Sequence, residues 1–145
     1  MTVIVTTAAQ VGRLYVNQDV TIPIILGATV TAGQVVRQDT DGKYILADAT
    51  IGGADARQTL IALKGGVDGE ADLGLKEGAL EGYAISALNS GAQFFLSDTP
   101  GAVDDAAGTV SVPIGRVIGT GEKDPSDGTV KEVAYFDMDW NTQFA

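Results

Sequence analysis

The chain has no cysteine and no histidine among its 145 residues. The first absence excludes disulfides, thiolate metal sites and cysteine nucleophiles. The second removes the commonest general base, the commonest zinc ligand and every Ser-His or Cys-His arrangement. Aromatic residues are scarce at 6%, so Val, Ile, Leu and Ala must fill whatever core forms. Basic residues are scarce too: 9 Lys and Arg against 19 Asp and Glu give a formal net charge of −10. Such a chain repels polyphosphates, and no basic patch with interleaved aromatics offsets the repulsion, so no nucleic-acid partner is expected. Long apolar runs are also missing. The longest, "IPIILGATV" at residues 22–30, is interrupted by Pro23 and is far short of the ~20 residues of a membrane span. The opening "MTVIVTTAAQVGRLYV" has neither a cationic start nor a long apolar block. No secretory signal and no membrane partner are therefore expected, and the chain reads as soluble.

Glycine is plentiful: 19 residues of 145 is about twice the usual ~7%. With only 4 Pro and no G-X-Y period, the excess points to many tight turns. The length suits one domain, able to bury roughly 70% of its unfolded surface. Short segments rich in β-branched or aromatic residues recur between Gly, Asp, Asn and Pro: "TVIVTT", "DVTIPII", "QVVRQ", "KYILA", "TLIAL", "ADLGL", "QFFLS", "VIGTG" and "VKEVAYFDM". These are strand signals. Only residues 75–88, "LKEGALEGYAISAL", approach a helical stripe, and Gly78 and Gly82 weaken it by about 1 kcal/mol each. The expected fold is all-β, a small β-sandwich or barrel-like domain with short hairpins and at most one short helix. Residues 1–20 form an N-terminal arm or the first strand, and residues 21–145 a single β-rich domain.

Two stretches repeat one another. "TAGQVVRQDTDG" (31–42) lies on "NSGAQFFLSDTPG" (89–101), with Gly33 matching Gly91 and Asp39 matching Asp98 after one inserted residue. Each unit runs from Gly through an apolar strand to Asp-Thr-X-Gly, and each is followed by a strand ending in Gly, "LIALKGG" and "RVIGTG". Two such aspartates raise the chemistry of the aspartic proteases, in which paired carboxylates share one proton. Those enzymes place Gly directly after the Thr, whereas Asp41 and Pro100 intervene here. Turns account for the same residues: Asp39 and Asp98 as backbone acceptors, Pro100 presetting φ, Asp41-Gly42 closing a hairpin, and Gly42 and Gly101 left-handed. The other acids show no selected pair, and no phosphate loop, dinucleotide fingerprint or nucleophile elbow is present. The polar loop "GEKDPSDG" (121–128) lacks the ligand order of a calcium-binding loop. The expectation is no enzyme, no catalytic residue, no metal and no cofactor.

The chain ends point to assembly instead. Residues 2–7 are uncharged with high β-propensity, a hazard if left unpaired. Val3, Ile4 and Val5 are either a strand donated to a neighbouring subunit or the first strand of the domain's own sheet. The C-terminal "VAYFDMDWNTQFA" concentrates aromatics. Tyr135 and Phe136 read as core strand, and Trp140 and Phe144 as interface anchors.

The run "GATVTAGQVVRQDTDGKYILADAT", followed by "LNSGAQFFLSDTPGAV" and "IGRVIGTG", resembles the small capsid decoration (cement) proteins of tailed bacteriophages. The shared features are a leading Thr-Ala-Gly turn, an Asp-Gly-Lys-Tyr hairpin and a later Leu-Ser-Asp-Thr-Pro-Gly turn, in that order over residues 27–121. These are structural turns, not catalytic signatures. The resemblance implies a β-rich homotrimer, made in a host cytoplasm and carried on the outer capsid surface of the virion. There it would clamp the major capsid protein of the expanded head. The alternative is a glycan-binding or adhesin-type β module, which requires an exposed Trp or Tyr beside polar loops.

Overall fold

The computed structural model describes residues 3–50 and 58–138. Thirteen short strands follow one another: β1 (Val3–Ile4), β2 (Gly12–Arg13), β3 (Val20–Ile25), β4 (Val30–Thr31), β5 (Val35–Gln38), β6 (Tyr44–Leu46), β7 (Leu60–Ala62), β8 (Gly65–Gly66), β9 (Ala71–Glu81), β10 (Gln93–Leu96), β11 (Val103–Asp104), β12 (Pro113–Lys123) and β13 (Val130–Asp137). The helical content among these residues is two three-residue 3-10 turns, Ala8–Gln10 and Val16–Gln18. Eleven strands make one sheet in the order β1-β11-β10-β12-β13-β9-β7-β5-β6, with β2 and β3 also on β9, while β4 and β8 pair apart. The fold is all-β and barrel-like, its antiparallel sheet curled into a half-barrel.

The segment closest to a helical pattern falls partly in one of the two longest strands. β9 takes up the first half of residues 75–88, and both of its edges are paired. Leu75 faces Thr21 and Ile61, Glu77 faces Val20 and Asp137, and Leu80 faces Arg13 and Ala134. A helix here would leave the backbone groups of four other strands without partners, and that outweighs any local preference. Lys76 is the extra residue of a bulge: Val20 and Thr21 are adjacent, yet they face Glu77 and Leu75.

Two apolar clusters lie on opposite faces of the β5–β7 pair, as the period of two requires. Val35 and Ile61 join the larger cluster with Leu75, Phe94, Ile114 and Phe136. Val36, Leu60 and Ala62 join the smaller one, covered by Ile24, Leu26 and Val30. Phe136, expected in the core, is fully buried and stacks on Phe94 with centroids 5.7 Å apart. Tyr83 tilts against it at 5.1 Å, and its hydroxyl donates to the Gly33 carbonyl at 2.8 Å.

The internal repeat is reproduced hydrogen bond by hydrogen bond. In the first unit the Gly33 N–H donates to Ala62 O (2.7 Å), Ala62 N–H to Gln34 O (3.0 Å) and Gln34 N–H to Thr31 O (3.2 Å). In the second, Gly91 donates to Val117 (2.8 Å), Val117 to Ala92 (2.9 Å) and Ala92 to Asn89 (3.0 Å). Gly33 and Gly91 share a φ of 89°. The pairs Val35↔Ile61 and Val36↔Leu60 likewise correspond to Gln93↔Arg116 and Phe94↔Gly115. The inserted residue falls inside the turn, not before the aspartate. Asp39 N–H bonds Lys43 O across the first turn, and Ser97 N–H bonds Ala102 O across the second. Ser97, not Asp98, is therefore the counterpart of Asp39.

The second turn joins the two units. Its Gly101 N–H donates to Ala47 O (2.7 Å), and its carbonyl accepts from Val35 N–H (2.9 Å). Gly101 has φ 77°, and a Cβ on it would lie 2.9 Å from Leu46 Cδ2 and 3.2 Å from Gln34 Cδ. Gly42, its counterpart in the repeat, has φ 86° with nothing within 4 Å. Gly42→Ala should therefore cost only the left-handed strain, about 1 kcal/mol. Gly101→Ala should cost about 2–4 kcal/mol, because overpacking is added to that strain. Urea unfolding of the two variants measures the difference, and equal losses would contradict the jointing role of Gly101.

Candidate interaction surface

The first strand pairs within its own sheet. Val3 and Ile4 face Asp104 and Val103 of β11, and a bridge joins Thr6 to Tyr83 just beyond β9. Thr7 N–H donates to Gly82 O (2.8 Å), and Ala84 N–H to Val5 O (2.9 Å). Ile4 is in the larger cluster, only 6% exposed, whereas Val3 and Val5 are 41% and 66% exposed. Of the three valine and isoleucine positions expected at an interface, one serves the core and two face outward. Trp140 and Phe144 lie outside the described residues.

The turn residues collect beside this strand. A groove of about 220 Å³ runs between residues 3–6 on one side and residues 31–34 and 99–102 on the other, so that Pro100 and Gly101 line it together with Val3 and Val5. The leading turn of the first unit thus meets the closing turn of the second on one surface. Gly91, at the corresponding corner of the second unit, bonds β12 through Val117. Asp41 and Gly42 form the tip of the β5–β6 hairpin, where Asp41 Oδ1 accepts from Lys43 N–H (3.0 Å).

The aspartates of the repeat serve separate turns. Asp39 Oδ1 accepts from Thr40 N–H (2.8 Å). Asp98 was expected to brace its own turn but reaches eleven residues on, accepting from Thr109 N–H (2.8 Å) and Thr109 Oγ1 (2.9 Å). Its own turn is braced by Ser97 Oγ, which accepts from Thr99 N–H (3.1 Å). Asp72 accepts from Lys64, Gly65 and Leu73 N–H. No group of three or more acidic side chains is arranged to hold a metal ion among the described residues.

Two features were not anticipated from the sequence. On the sheet's outer face, Arg13 Nε donates to Asp19 Oδ2 at 2.8 Å, and the Asp19 side chain is fully buried. The Asp19 carboxylate presses on Gly78, where no Cβ would fit. Nearby, the Tyr135 hydroxyl donates to Glu77 Oε1 at 2.6 Å. That bond, then burial, then the charges of Glu77, Asp137 and Asp19 push the phenol up from 10.0 to about 12. The second feature is a cleft of about 450 Å³ where β9 and β13 diverge, bordered by Leu80, Tyr83, Ile85, Lys131 and Glu132. Neither was legible, because each depends on which strands meet, and a bulge sets the first while a split sets the second.

No family model, curated protein or solved structure matches the chain. What it presents for contact is therefore read from the side chains alone.

Two outcomes are expected. Ile4→Ala should cost about 2–5 kcal/mol in urea unfolding, while Val5→Ala stays within about 0.5 kcal/mol. Equal, small losses would mean that the first strand adds nothing to the core. The Tyr135 phenol is protonated in both states below pH 10, but between 10 and about 12 only the native chain keeps the proton. Stability should fall as pH rises through that window. Burial also raises Tyr44 and Tyr83, so Tyr135→Phe should flatten the fall without abolishing it. An unchanged slope in urea midpoints from pH 9 to 12 would remove Glu77 as the cause.

Proposed function

We propose that this chain is a capsid decoration protein: a structural protein that docks as a trimer on the outer surface of an expanded virus head and steadies the major capsid protein lattice. The observation that carries the reading is the groove between the first strand and the two turns. Two of the three turns behind the family resemblance, Thr-Ala-Gly and Leu-Ser-Asp-Thr-Pro-Gly, meet there beside the exposed Val3 and Val5. Apolar side chains set among fixed turns form a preorganised contact surface, which lowers the ordering cost of docking. A trimer would offer three such grips, so individually weak contacts add through avidity. Binding the expanded lattice in preference to the loosened one stabilises it by mass action. The net charge of −10 would keep free subunits soluble before they dock.

One observation favours the alternative, a glycan-binding module. Tyr15 is 39% exposed and borders a pocket with Asn17 and Gln18, the exposed aromatic beside polar groups that a sugar site needs. A glycan array with specific hits lost in Tyr15→Ala would favour that reading over decoration.

Co-sedimentation with expanded and unexpanded heads, together with native mass spectrometry of the free protein, tests decoration. The protein should pellet with expanded heads and run as a trimer. Val5→Glu should reduce pelleting at least tenfold without lowering the unfolding midpoint by more than ~0.5 kcal/mol equivalent. A monomer that never co-sediments would end the proposal.

A further inference from the structure

The β13–β9 ladder runs from Asp137↔Glu77 to Ala134↔Leu80 and goes no further. Beyond it, the chain after β9 is held by the N-terminal segment at Tyr83. Val130, Glu132 and Val133 keep β12 as their strand partner, through Lys123, Gly119 and Ile118. The other edge of that half of β13 looks into the 450 Å³ cleft. Among the described residues this strand edge has no partner, and an open edge beside a cleft with Leu80 and Ile85 on its wall is a template for an added strand.

The charges in the cleft are unbalanced. Lys131 Nζ sits 3.0 Å from Glu81 Oε1, so those two offset one another. Glu132 then remains. It lies on the same face of β13 as Ala134 and Phe136, and its Oε2 is shielded from solvent with no hydrogen-bond partner among the described residues. A shielded carboxylate oxygen without a donor is costly, and native structures supply one. The neighbouring charges also offer none, in a chain whose net charge is −10.

We propose that this cleft is a docking site for an extended segment of a partner protein, added along Val130–Val133 and carrying an arginine or lysine that donates to Glu132. Strand pairing supplies register, the apolar wall takes the flanking side chains, and the cation completes the carboxylate. This does not depend on the decoration reading, since a basic strand on any partner meets the same chemistry.

The test uses the full chain and two capped hexapeptides, acetyl-VTVRVT-amide and acetyl-VTVEVT-amide, followed by amide chemical shifts and calorimetry. The arginine peptide should bind, shift residues 81–86 and 130–134, and lose at least tenfold in affinity at high salt. The glutamate peptide should not bind. Glu132→Gln should weaken the arginine peptide at least tenfold with no loss of folding stability. If that variant fails to fold, Val130→Lys places a cation at the mouth from an exposed position and should compete to the same effect. Equal binding of both peptides, shifts confined to other surfaces, or no binding of the arginine peptide at millimolar concentration would overturn the proposal. So would concentration-dependent self-association that shifts the same amides, because the occupant would then be a second copy of the chain.

Discussion

One strand, β9, takes four partner strands, two along each edge, and the rest of the sheet is arranged around that fact. On one side it carries β2 and β3, and on the other β13 and β7 in succession. Because β13 and β7 share one edge, the sheet must fork there. One branch runs through β12 and β10 to the N-terminus, and the other through β5 to β6. The fork gives the molecule two apolar clusters, and the larger is fed by both branches. A strand with buried residues on both faces, and with a bulge that shifts its alternation, does not alternate cleanly between apolar and polar residues. This is why β9 reads as Leu, Lys, Glu, Gly and Ala in an order that resembles a helix.

That explains where the sequence was readable and where it was not. Strands bounded by turns were legible because β-branched residues and Gly or Asp punctuation act locally. The all-β class, the Asp41-Gly42 hairpin and the placement of Phe136 follow from such local signals. The near-helical pattern over residues 75–88, which left room for at most one short helix, comes from a strand with buried residues on both faces and a bulge at Lys76. The repeat was legible as a match of letters, but its register was not. Matching Asp39 to Asp98 put the insertion before the turn, whereas the ladders put it inside. Letters in a turn are set by φ and by nearby donors, so two aspartates one position out of step can look equivalent.

The acidic composition has a structural side that charge counting hides. Asp41 braces its own turn, and Asp124 and Asp127 do the same in the 121–128 loop, where each accepts from a residue two positions on. Those bonds lower the pKa of both loop carboxylates. Asp72 and Asp98 hold neighbouring segments by the same means, from seven to eleven residues away. A carboxylate engaged by backbone N–H donors replaces the partner that a short strand cannot supply at its end. Many short strands therefore demand many such side chains, and the excess of acid over base is partly a consequence of the fold.

Edge management separates the surfaces that contact solvent from those suited to a partner. β3 is an outer strand, and Pro23 removes a donor from it. β6 is another, and Leu26 and Gly27 lie against it through Tyr44. These edges are blunted in the usual ways. The N-terminal half of β13 has neither a proline nor a covering segment among the described residues, and it borders the shielded Glu132 oxygen. The first strand is different again: its backbone is paired, but Val3 and Val5 remain outward beside two rigid turns. The N-terminal half of β13 and the strip at Val3 and Val5 are thus two open places among the described residues. They call for different chemistry: apolar burial at the first strand and charge-assisted strand pairing at the cleft. A partner that engaged both would be held by forces that respond oppositely to salt, since screening weakens the charged grip while excluded kosmotropic ions strengthen the apolar one.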